Sequence, residues 1–168
     1  MTISMHAASV PVFRQILNSL SDILAKAETH ATERKIEPAA LLQARLYPDM
    51  LAFSRQVQIA ADFAKGACAR LAGADVPKFE DTEQSFADLR ARIAKTIDFI
   101  ESLPKDKIDG SEERVINTSA GANSKTFAGQ AYLTHYALPQ FFFHATTAYA
   151  ILRHNGVEVG KRDFMGKI

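Results

Sequence analysis

The sequence predicts an all-α protein, a four-helix bundle with a long loop before the last helix. Four segments repeat apolar residues at intervals of three and four, the spacing of one face of an α-helix. Short-to-medium connections and one long connection between such segments are typical of a bundle. The sequence lacks the alternation of strand-like and helix-like segments that would indicate a parallel sheet. We therefore expect a single domain that covers residues 1–168.

The first predicted helix covers about residues 5–29. Pro11 lies in its early part, where proline either starts the regular helix or kinks it. A charged linker, residues 33–37, follows, and Pro38 suits the first turn of a short helix that ends near Arg45. The apolar residues of the first helix are Val12, Phe13, Ile16, Leu17, Leu20, Ile23 and Leu24.

The second predicted helix starts at the Pro-Asp pair of residues 48–49, since proline suits a first turn and an acid the positive end of the helix dipole. Gly73 ends it. Its apolar residues are Met50, Phe53, Val57, Ala60, Ala64, Ala67 and Leu71. The third predicted helix begins near residues 81–82 and stops at the Leu-Pro pair of residues 103–104. Its apolar residues are Phe86, Leu89, Ile93, Ile97 and Ile100.

Residues 104–125 are predicted to form the long loop, in which residues 114–117 can form a short strand. A connection of this length in a compact domain is typical of functional or mobile segments. The fourth predicted helix covers about residues 129–155, with Pro139 as a kink or a restart. The tail, residues 157–168, is expected to be extended on the surface of the bundle.

Composition excludes several classes of protein. The 20 Lys and Arg against 19 Asp and Glu give a net charge of +1, so no global field attracts nucleic acid or a membrane surface. The hydrophobic share of 47% and charged share of 23% exclude collagen-like, disordered and disulfide-scaffold proteins. The single cysteine, Cys68, excludes an internal disulfide and a multi-cysteine metal site. With no secretory signal and no membrane-spanning apolar run, the expected location is the cytoplasm.

His144 is the most informative of the five histidines, because it lies beside the apolar stripe of the fourth predicted helix. Gln140 lies one turn before it, and Tyr149 belongs to the same helix. The residues alone leave two interpretations, a hydrogen-bonded core histidine or part of a functional site. A metal site in a bundle needs at least two inward-facing ligands three or four residues apart, and the sequence contains no His-x-x-His, His-x-x-x-His or Glu-x-x-His.

Five short motifs resemble an uncharacterised bacterial family of domains of unknown function, number nineteen-ninety-three, within the DinB-like (YfiT-like) superfamily. They are residues 45–50 (RLYPDM), 70–73 (RLAG), 138–144 (LPQFFFH), 148–157 (AYAILRHNGV) and 160–164 (GKRDF). The resemblance covers essentially the whole chain. It implies a four-helix bundle with right-handed connectivity and, commonly, a homodimer.

The superfamily resemblance also implies a divalent metal held by three histidines, one from the second helix and two, as His-x-x-x-His, from the fourth. When residues 152–157 are aligned with the superfamily's Leu-Arg-x-x-Gly-Val ending, His144 matches the last ligand and Gln140 stands where the preceding histidine belongs. On the second helix Gln56 is the nearest polar candidate. Because one imidazole with amide oxygens is a poor donor set for zinc or nickel, we expect no stoichiometric metal and expect His144 to hydrogen-bond inside the bundle.

The sequence supports two hypotheses about function. The first is a non-catalytic or small-molecule-binding homodimer with a candidate pocket at Gln56, Gln140, His144 and Tyr149. The alternative is an enzyme of the DinB-like metal-dependent class, a thiol-dependent transferase or hydrolase, in which His144 is the remaining ligand of a degenerate zinc or nickel site. The missing ligands favour the first.

Overall fold

Apolar residues at three- and four-residue spacing form α-helices in the computed structural model, which describes residues 3–120 and 123–167. The described residues are mainly helical and include a small two-stranded sheet. In chain order the elements are α1 (Val10–Glu33), α2 (Pro38–Leu42), α3 (Phe53–Ala72), α4 (Phe86–Ser102), α5 (Lys105–Ile108), β1 (Val115–Ala120), β2 (Asn123–Ala128), α6 (Gly129–Tyr132), a π-helical segment (Leu133–Ala137), α7 (Leu138–His154) and α8 (Lys161–Met165).

Helix α1 begins later than predicted, and Pro11 explains why. Proline lies in the first turn, where its missing amide hydrogen costs no hydrogen bond, so it starts the helix and does not kink it. Before the helix, the Ser9 hydroxyl donates to the carbonyl of Met5 at 2.7 Å and helps hold this stretch in turns. At its other end α1 continues to Glu33, and Lys35, with a φ of 54°, turns the chain.

The predicted start of the second helix at Pro48 is wrong, since α3 begins only at Phe53. Two hydrogen bonds close a loop before it. Arg45 Nη1 donates to the carbonyl of Met50 at 2.5 Å, and the amide of Phe53 donates to the carbonyl of Ala44 at 2.9 Å. Because these partners satisfy backbone groups of the loop, the Pro-Asp pair forms a turn there and no helix.

The predicted start of the third helix near residues 81–82 is also wrong, because α4 begins at Phe86. Ser85 caps this helix, and its hydroxyl accepts a hydrogen bond from the amide of Asp88 at 3.0 Å. A serine at this position satisfies one of the free amides of the first turn. The residues that precede Ser85 are therefore free to form an irregular strap, residues 74–85, that joins α3 to α4.

The predicted ends of the second and third helices are confirmed. Gly73 follows α3 with a φ of 68°, in the left-handed region where a side chain would be strained. Leu103 follows α4 in an extended conformation, as expected for the residue that precedes a proline. Both ends are set by local backbone preferences, which explains why the sequence predicts them.

The segment predicted as a long loop contains regular secondary structure. It contains α5 and then a β-hairpin, in which β1 pairs antiparallel with β2 and Ile116 lies opposite Phe127. The short strand expected at residues 114–117 is present but starts at Val115 and continues to Ala120. Within the described residues no sheet is larger than this hairpin.

The fourth predicted helix consists of three helical pieces that follow one another without a break. The π-helical segment ends at Ala137, α7 begins at the next residue, and Pro139 lies in the first turn of α7. Because proline donates no amide hydrogen and crowds the carbonyl four residues earlier, a widened turn before it accommodates the ring. The tail is extended only in part, since it includes the short helix α8, where Asp163 accepts a hydrogen bond from the amide of Gly160 at 2.8 Å.

Helix α3 is the central element of the packing. It lies along α7 and along α4, and it also contacts α1, which packs mainly on α4. Among its buried residues are Ala60, Ala64 and Ala67, which are small enough to let neighbouring helices approach closely. Phe13 of α1 meets Phe141 of α7 edge to face, with ring centroids 4.9 Å apart. No helix in the described part of the chain is long and apolar enough to cross a membrane.

A buried arginine joins the strap to α3 and α4. The side chain of Arg92 is 2% exposed, and its Nη2 lies 2.9 Å from Asp62 of α3 and 3.0 Å from Asp81 of the strap. Its Nη1 lies 2.9 Å from Glu83, also in the strap. An arginine this deeply buried needs such partners, because an unpaired charge would lose its hydration without compensation. Phe79 adds a second attachment, with the ammonium groups of Lys65 and Lys95 each 4.1 Å from its ring centroid.

We expect Arg92→Met to destabilise the protein by about 2 kcal/mol, because it leaves three carboxylates without their common partner while keeping much of the side-chain volume. The figure is below that of a fully buried pair, since Asp62 and Asp81 are partly exposed. Urea unfolding followed by circular dichroism measures the difference. Arg90→Met, at an exposed position of the same helix, is the control and should change the free energy of unfolding by less than about 0.5 kcal/mol. Equal effects of the two variants would show that the network contributes nothing specific.

Candidate functional site

His144 of α7 and Gln56 of α3 meet inside the protein. Nδ1 of His144 lies 2.7 Å from Oε1 of Gln56, and the histidine is 8% exposed. The two residues come from helices that pack along each other. The structure therefore brings together two of the four predicted site residues, in the kind of hydrogen bond that the sequence leads us to expect for His144.

A second hydrogen bond fixes the roles of the donor and the acceptor. Nε2 of Gln56 donates to the carbonyl of Leu51 at 3.1 Å. The amide oxygen of Gln56 is therefore the atom that faces the imidazole, and Nδ1 of His144 carries the hydrogen. Nε2 of His144 then keeps its lone pair. This atom has no hydrogen-bond partner among the described residues and is not fully buried.

Aromatic rings enclose the imidazole. The ring of Phe63 is stacked on it, with centroids 6.0 Å apart and an interplanar angle of 16°. Phe143 meets it edge to face at 5.2 Å. Burial lowers the pKa of His144, since the protonated ring would lose hydration that no nearby carboxylate replaces. His144 is therefore a neutral hydrogen-bond acceptor at pH 7.

A shallow groove of about 320 Å³ runs beside this histidine. The π-helical segment contributes His135 and Tyr136 to it, and α7 contributes Pro139, Gln140 and Phe143. π-Helical turns occur frequently at functional sites. The ring of Tyr136 packs on Phe63 with centroids 5.9 Å apart, so a continuous set of aromatic contacts links the groove to His144.

The β-hairpin forms one side of the same region. Phe127 of β2 packs on Tyr136 with ring centroids 5.2 Å apart. Nζ of Lys125 lies 5.5 Å from the centroid of the Tyr136 ring. Sequence reasoning missed Phe63, Lys125 and Tyr136 as site residues. No pattern marks them, because they come from three separate elements and only the packing of the hairpin and α3 around Tyr136 unites them.

Of the two remaining predicted site residues, one lies at the groove and the other lies elsewhere. Gln140 lies on the groove, one turn before His144. The structure does not bring Tyr149 to this site. Five residues of helix separate Tyr149 from His144, which turns it by roughly 140° around α7, and its ring packs on Phe164 of α8 with centroids 5.8 Å apart. In the interior, His144 contacts Gln56 through a hydrogen bond and Phe63 through ring stacking.

The donor set does not fit the zinc or nickel that the superfamily resemblance implies. The described residues contain no group of three or more His, Cys, Asp or Glu side chains that could hold a metal ion. Oε1 of Gln56 already accepts the hydrogen of His144 Nδ1. Of the His144 ring, only Nε2 then keeps a lone pair, with the amide of Gln140 one turn earlier as a neighbour, and zinc or nickel needs stronger donors than amides.

Two of the larger clefts lie along α1 and carry less chemistry. They have volumes of about 430 and 680 Å³, and their walls are exposed polar side chains and the ends of the chain. Neither is lined by a buried titratable side chain. The groove beside His144 is smaller, but its walls are aromatic and one of them, Phe143, contacts the ring of the buried His144, so it is a better candidate than either cleft.

Comparisons with known proteins agree with this architecture. A family model described as "Domain of unknown function (DUF1993)" matches residues 5–165. The crystal structure of a DinB family member protein from Shewanella denitrificans superposes with a TM-score of 0.87 and is 38% identical, and the alignment covers 97% of this chain and 92% of that one. No curated protein matches. The resemblance drawn from the short sequence motifs is confirmed.

We expect Gln56→Glu to raise the pKa of His144 by one unit or more, because a carboxylate at this position stabilises the protonated ring. In the unaltered protein the lowered pKa means that the contribution of His144 to the free energy of unfolding is complete above about pH 6.5. This contribution is lost as the pH falls below that value, because the unfolded chain then takes up a proton more readily than the folded one. The variant should reverse this dependence. Nuclear magnetic resonance titration of the ring protons measures the pKa directly.

Two control variants accompany this titration. Gln56→Leu removes the acceptor without adding charge, so the pKa of His144 should stay low while the Nδ1–H form loses its dominance in ¹⁵N spectra. Gln130→Glu adds the same charge at an exposed position of α6 and should leave His144 unchanged. A pKa of His144 that responds equally to both glutamates would contradict the hydrogen bond to Gln56.

Proposed function

Because the chain belongs to the DUF1993 family of domains of unknown function and is DinB-like, we propose that it is a four-helix bundle that binds a small molecule as a non-catalytic homodimer. The four long helices of the described residues, α1, α3, α4 and α7, are the members of this bundle. The binding site is the groove beside His144.

One observation carries the binding proposal: a neutral imidazole of fixed tautomer adjoins an aromatic groove. The hydrogen bond from His144 to Gln56 holds the ring in place before any ligand arrives, and such preorganisation lowers the cost of binding. A volume of about 320 Å³ lies at the lower end of the range for ligand pockets, which typically combine apolar walls with a few polar groups. Tyr136 and Phe143 supply the walls, and His135 and Gln140 supply the polar groups.

The partner of His144 favours binding over catalysis. A catalytic histidine is usually oriented by a carboxylate that stabilises its protonated form, whereas Gln56 is a neutral amide. The one carboxylate next to Phe63 in the chain, Asp62, is engaged by Lys65 at 2.8 Å and by Arg92. Burial also lowers the pKa of His144, which weakens it as a base.

The alternative is an enzyme of the DinB-like metal-dependent class, a thiol-dependent transferase or hydrolase with a degenerate zinc or nickel site at His144. The likeness to a DinB family member and the lone pair on Nε2 of His144 favour it. Elemental analysis of the purified protein separates the two proposals. About one equivalent of zinc or nickel per chain, lost in His144→Ala, would support the enzyme.

A second copy of the chain is the proposed partner, and no nucleic acid is expected at a net charge of +1. The loop between α2 and α3 exposes apolar side chains: Leu46 is 43%, Tyr47 65% and Leu51 42% exposed. Clusters of this kind mark interaction surfaces. The buried, free thiol of Cys68 fits a reducing compartment, so the bacterial cytoplasm is part of the proposal.

We expect the purified protein to bind fragments of an aromatic library in the groove. In ¹⁵N-labelled protein the shifted resonances should belong to Tyr136, Gln140, Phe143 and the ring of His144. Phe143→Ser should weaken binding several-fold, because Phe143 is 55% exposed and forms one wall. Val115→Ser, at a 68% exposed apolar position of the hairpin, is the matched control. A library without a single hit in the groove would overturn the binding proposal.

Light scattering at micromolar concentration should give twice the chain mass of 18.5 kDa. Tyr47→Glu should reduce this to one chain, because it would bury a charge without a partner in the proposed interface. Val115→Glu adds the same charge at a different exposed apolar position and should leave the dimer intact. The unaltered protein measured as a monomer would show that the exposed loop has another role.

A further inference from the structure

We propose that a cavity between α3 and the strap binds the phosphate group of a small molecule, with Lys65, Arg70 and Lys78 as its cationic partners. The cavity has a volume of about 330 Å³ and is lined by side chains of α3 and of the strap. It shares no lining residue with the groove beside His144. The proposal therefore does not rest on the proposed function and adds a second binding site.

The charges that line this cavity favour an anion. Three of the lining residues are cations, namely Lys65, Arg70 and Lys78. Asp62 is the one acid among the lining residues, all of which belong to the described part of the chain. Its carboxylate does not balance the cations, because Oδ1 is shared between Lys65 at 2.8 Å and Arg92 at 2.9 Å. Cations gathered in one cavity repel each other, and a bound anion removes this repulsion.

Arg70 is held in position and keeps donors for a ligand. Its Nη1 donates to the hydroxyl of Tyr132 at 3.2 Å. Burial raises the pKa of Tyr132, so the hydroxyl stays neutral and does not balance the guanidinium. The ion pairs formed by the described residues do not include Arg70. A guanidinium can bind two oxygens of one phosphate side by side, and Nε and Nη2 remain for this purpose.

Gly66 provides the space that the guanidinium occupies. A Cβ atom at this position would lie 2.5 Å from Nη1 of Arg70, so a larger residue would displace the end of that side chain. Glycine is less favourable than alanine in the interior of a helix, and Gly66 lies in the interior of α3. The close approach of Arg70, one turn further along the helix, accounts for a glycine here. This approach also orients the cation before a ligand arrives.

The two lysines differ in their surroundings. Lys65 is 4% exposed, and its ammonium group lies 4.1 Å from the centroid of the ring of Phe79, which also lines the cavity. Because little water screens a charge at this depth, Lys65 attracts an anion more strongly than a surface lysine does. Lys78 is exposed, and its contact with Glu80 at 3.9 Å joins two largely exposed side chains. Such a pair is weak, so Lys78 can turn towards a ligand.

A phosphate fits these cations better than a carboxylate does. A phosphate monoester carries between about 1.5 and 2 negative charges at pH 7 and has three strong acceptor oxygens. It can therefore accept hydrogen bonds from the guanidinium and from both ammonium groups, whereas a carboxylate offers one charge and two oxygens. Val76 and Pro77 also line the cavity and give apolar surface for the organic part of an ester.

Isothermal titration calorimetry at pH 7.5 with three compounds tests the ligand class. We expect phenyl phosphate to bind about fivefold more tightly than benzoate, because its additional charge forms a further partly exposed ion pair. Inorganic phosphate should also bind. A higher affinity for phenyl phosphate than for inorganic phosphate would assign the cavity to an ester, and the reverse order would assign it to the free ion. In ¹⁵N spectra the shifted resonances should include the amide of Gly66 and Nε of Arg70.

Variants locate the phosphate. Arg70→Gln should weaken the binding of phenyl phosphate about fivefold, and Lys78→Gln about twofold. Gly66→Ala is the sharper test, because it keeps every charge and displaces only the guanidinium. It should weaken binding severalfold while the helical circular dichroism stays that of the unaltered protein. Arg90→Gln removes the same charge at an exposed position of α4 outside the cavity and should leave the affinity unchanged.

Four results would overturn the proposal. The first is full affinity in both Arg70→Gln and Gly66→Ala, because the guanidinium would then not contact the phosphate. The second is an equal loss in Arg70→Gln and Arg90→Gln, which would show general attraction to a cationic surface. The third is benzoate binding as tightly as phenyl phosphate, and the fourth is no binding of either phosphate compound. None of these results bears on fragment binding in the groove beside His144.

Discussion

The structure depends on the small buried side chains of helix α3, because they let the neighbouring helices pack closely against it. Ala60, Ala64 and Ala67 are fully buried, and side chains of this size let helices approach more closely than leucine would. Helix α7 can therefore lie close along α3. That close approach puts Gln56 and Phe63 within contact of His144, so the site is a product of helix packing and not of a loop.

The two sides of α3 differ in charge, which determines the behaviour of His144. On the side of α4 and the strap, Asp62 is bound by Lys65 and Arg92. On the side of α7, the partner of the imidazole is the neutral amide of Gln56. Because Asp62 is engaged by these cations and no carboxylate pairs with His144, burial controls the pKa of the imidazole.

The amide at position 56 gives this chain a chemistry that differs from a three-histidine metal site. A metal requires each ligand to present a lone pair, but the hydrogen bond uses the oxygen of Gln56 as the acceptor for Nδ1 of His144. The same hydrogen bond leaves the lone pair on Nε2 of the ring, which Phe63 and Phe143 flank. On the groove side of this region the hairpin adds Lys125, whose ammonium group lies 5.5 Å from the centroid of the Tyr136 ring.

The sequence by itself determined the helical class of the protein, the ends of α3 and α4, and the position of His144 beside a buried helix face. These features depend on local backbone preferences and on the spacing of apolar residues, which act within a few residues of chain. The starts of α3 and α4 were mispredicted because a Pro-Asp pair and an acidic stretch resemble a helix N-terminus, while Arg45 and Arg92 hold these stretches in other conformations. The pairing of Gln56 with His144, which spans 88 residues of sequence, and the placement of Lys125 over Tyr136 were decided only by the tertiary structure. Such contacts arise from the packing of separate elements, and no local pattern in the chain encodes them.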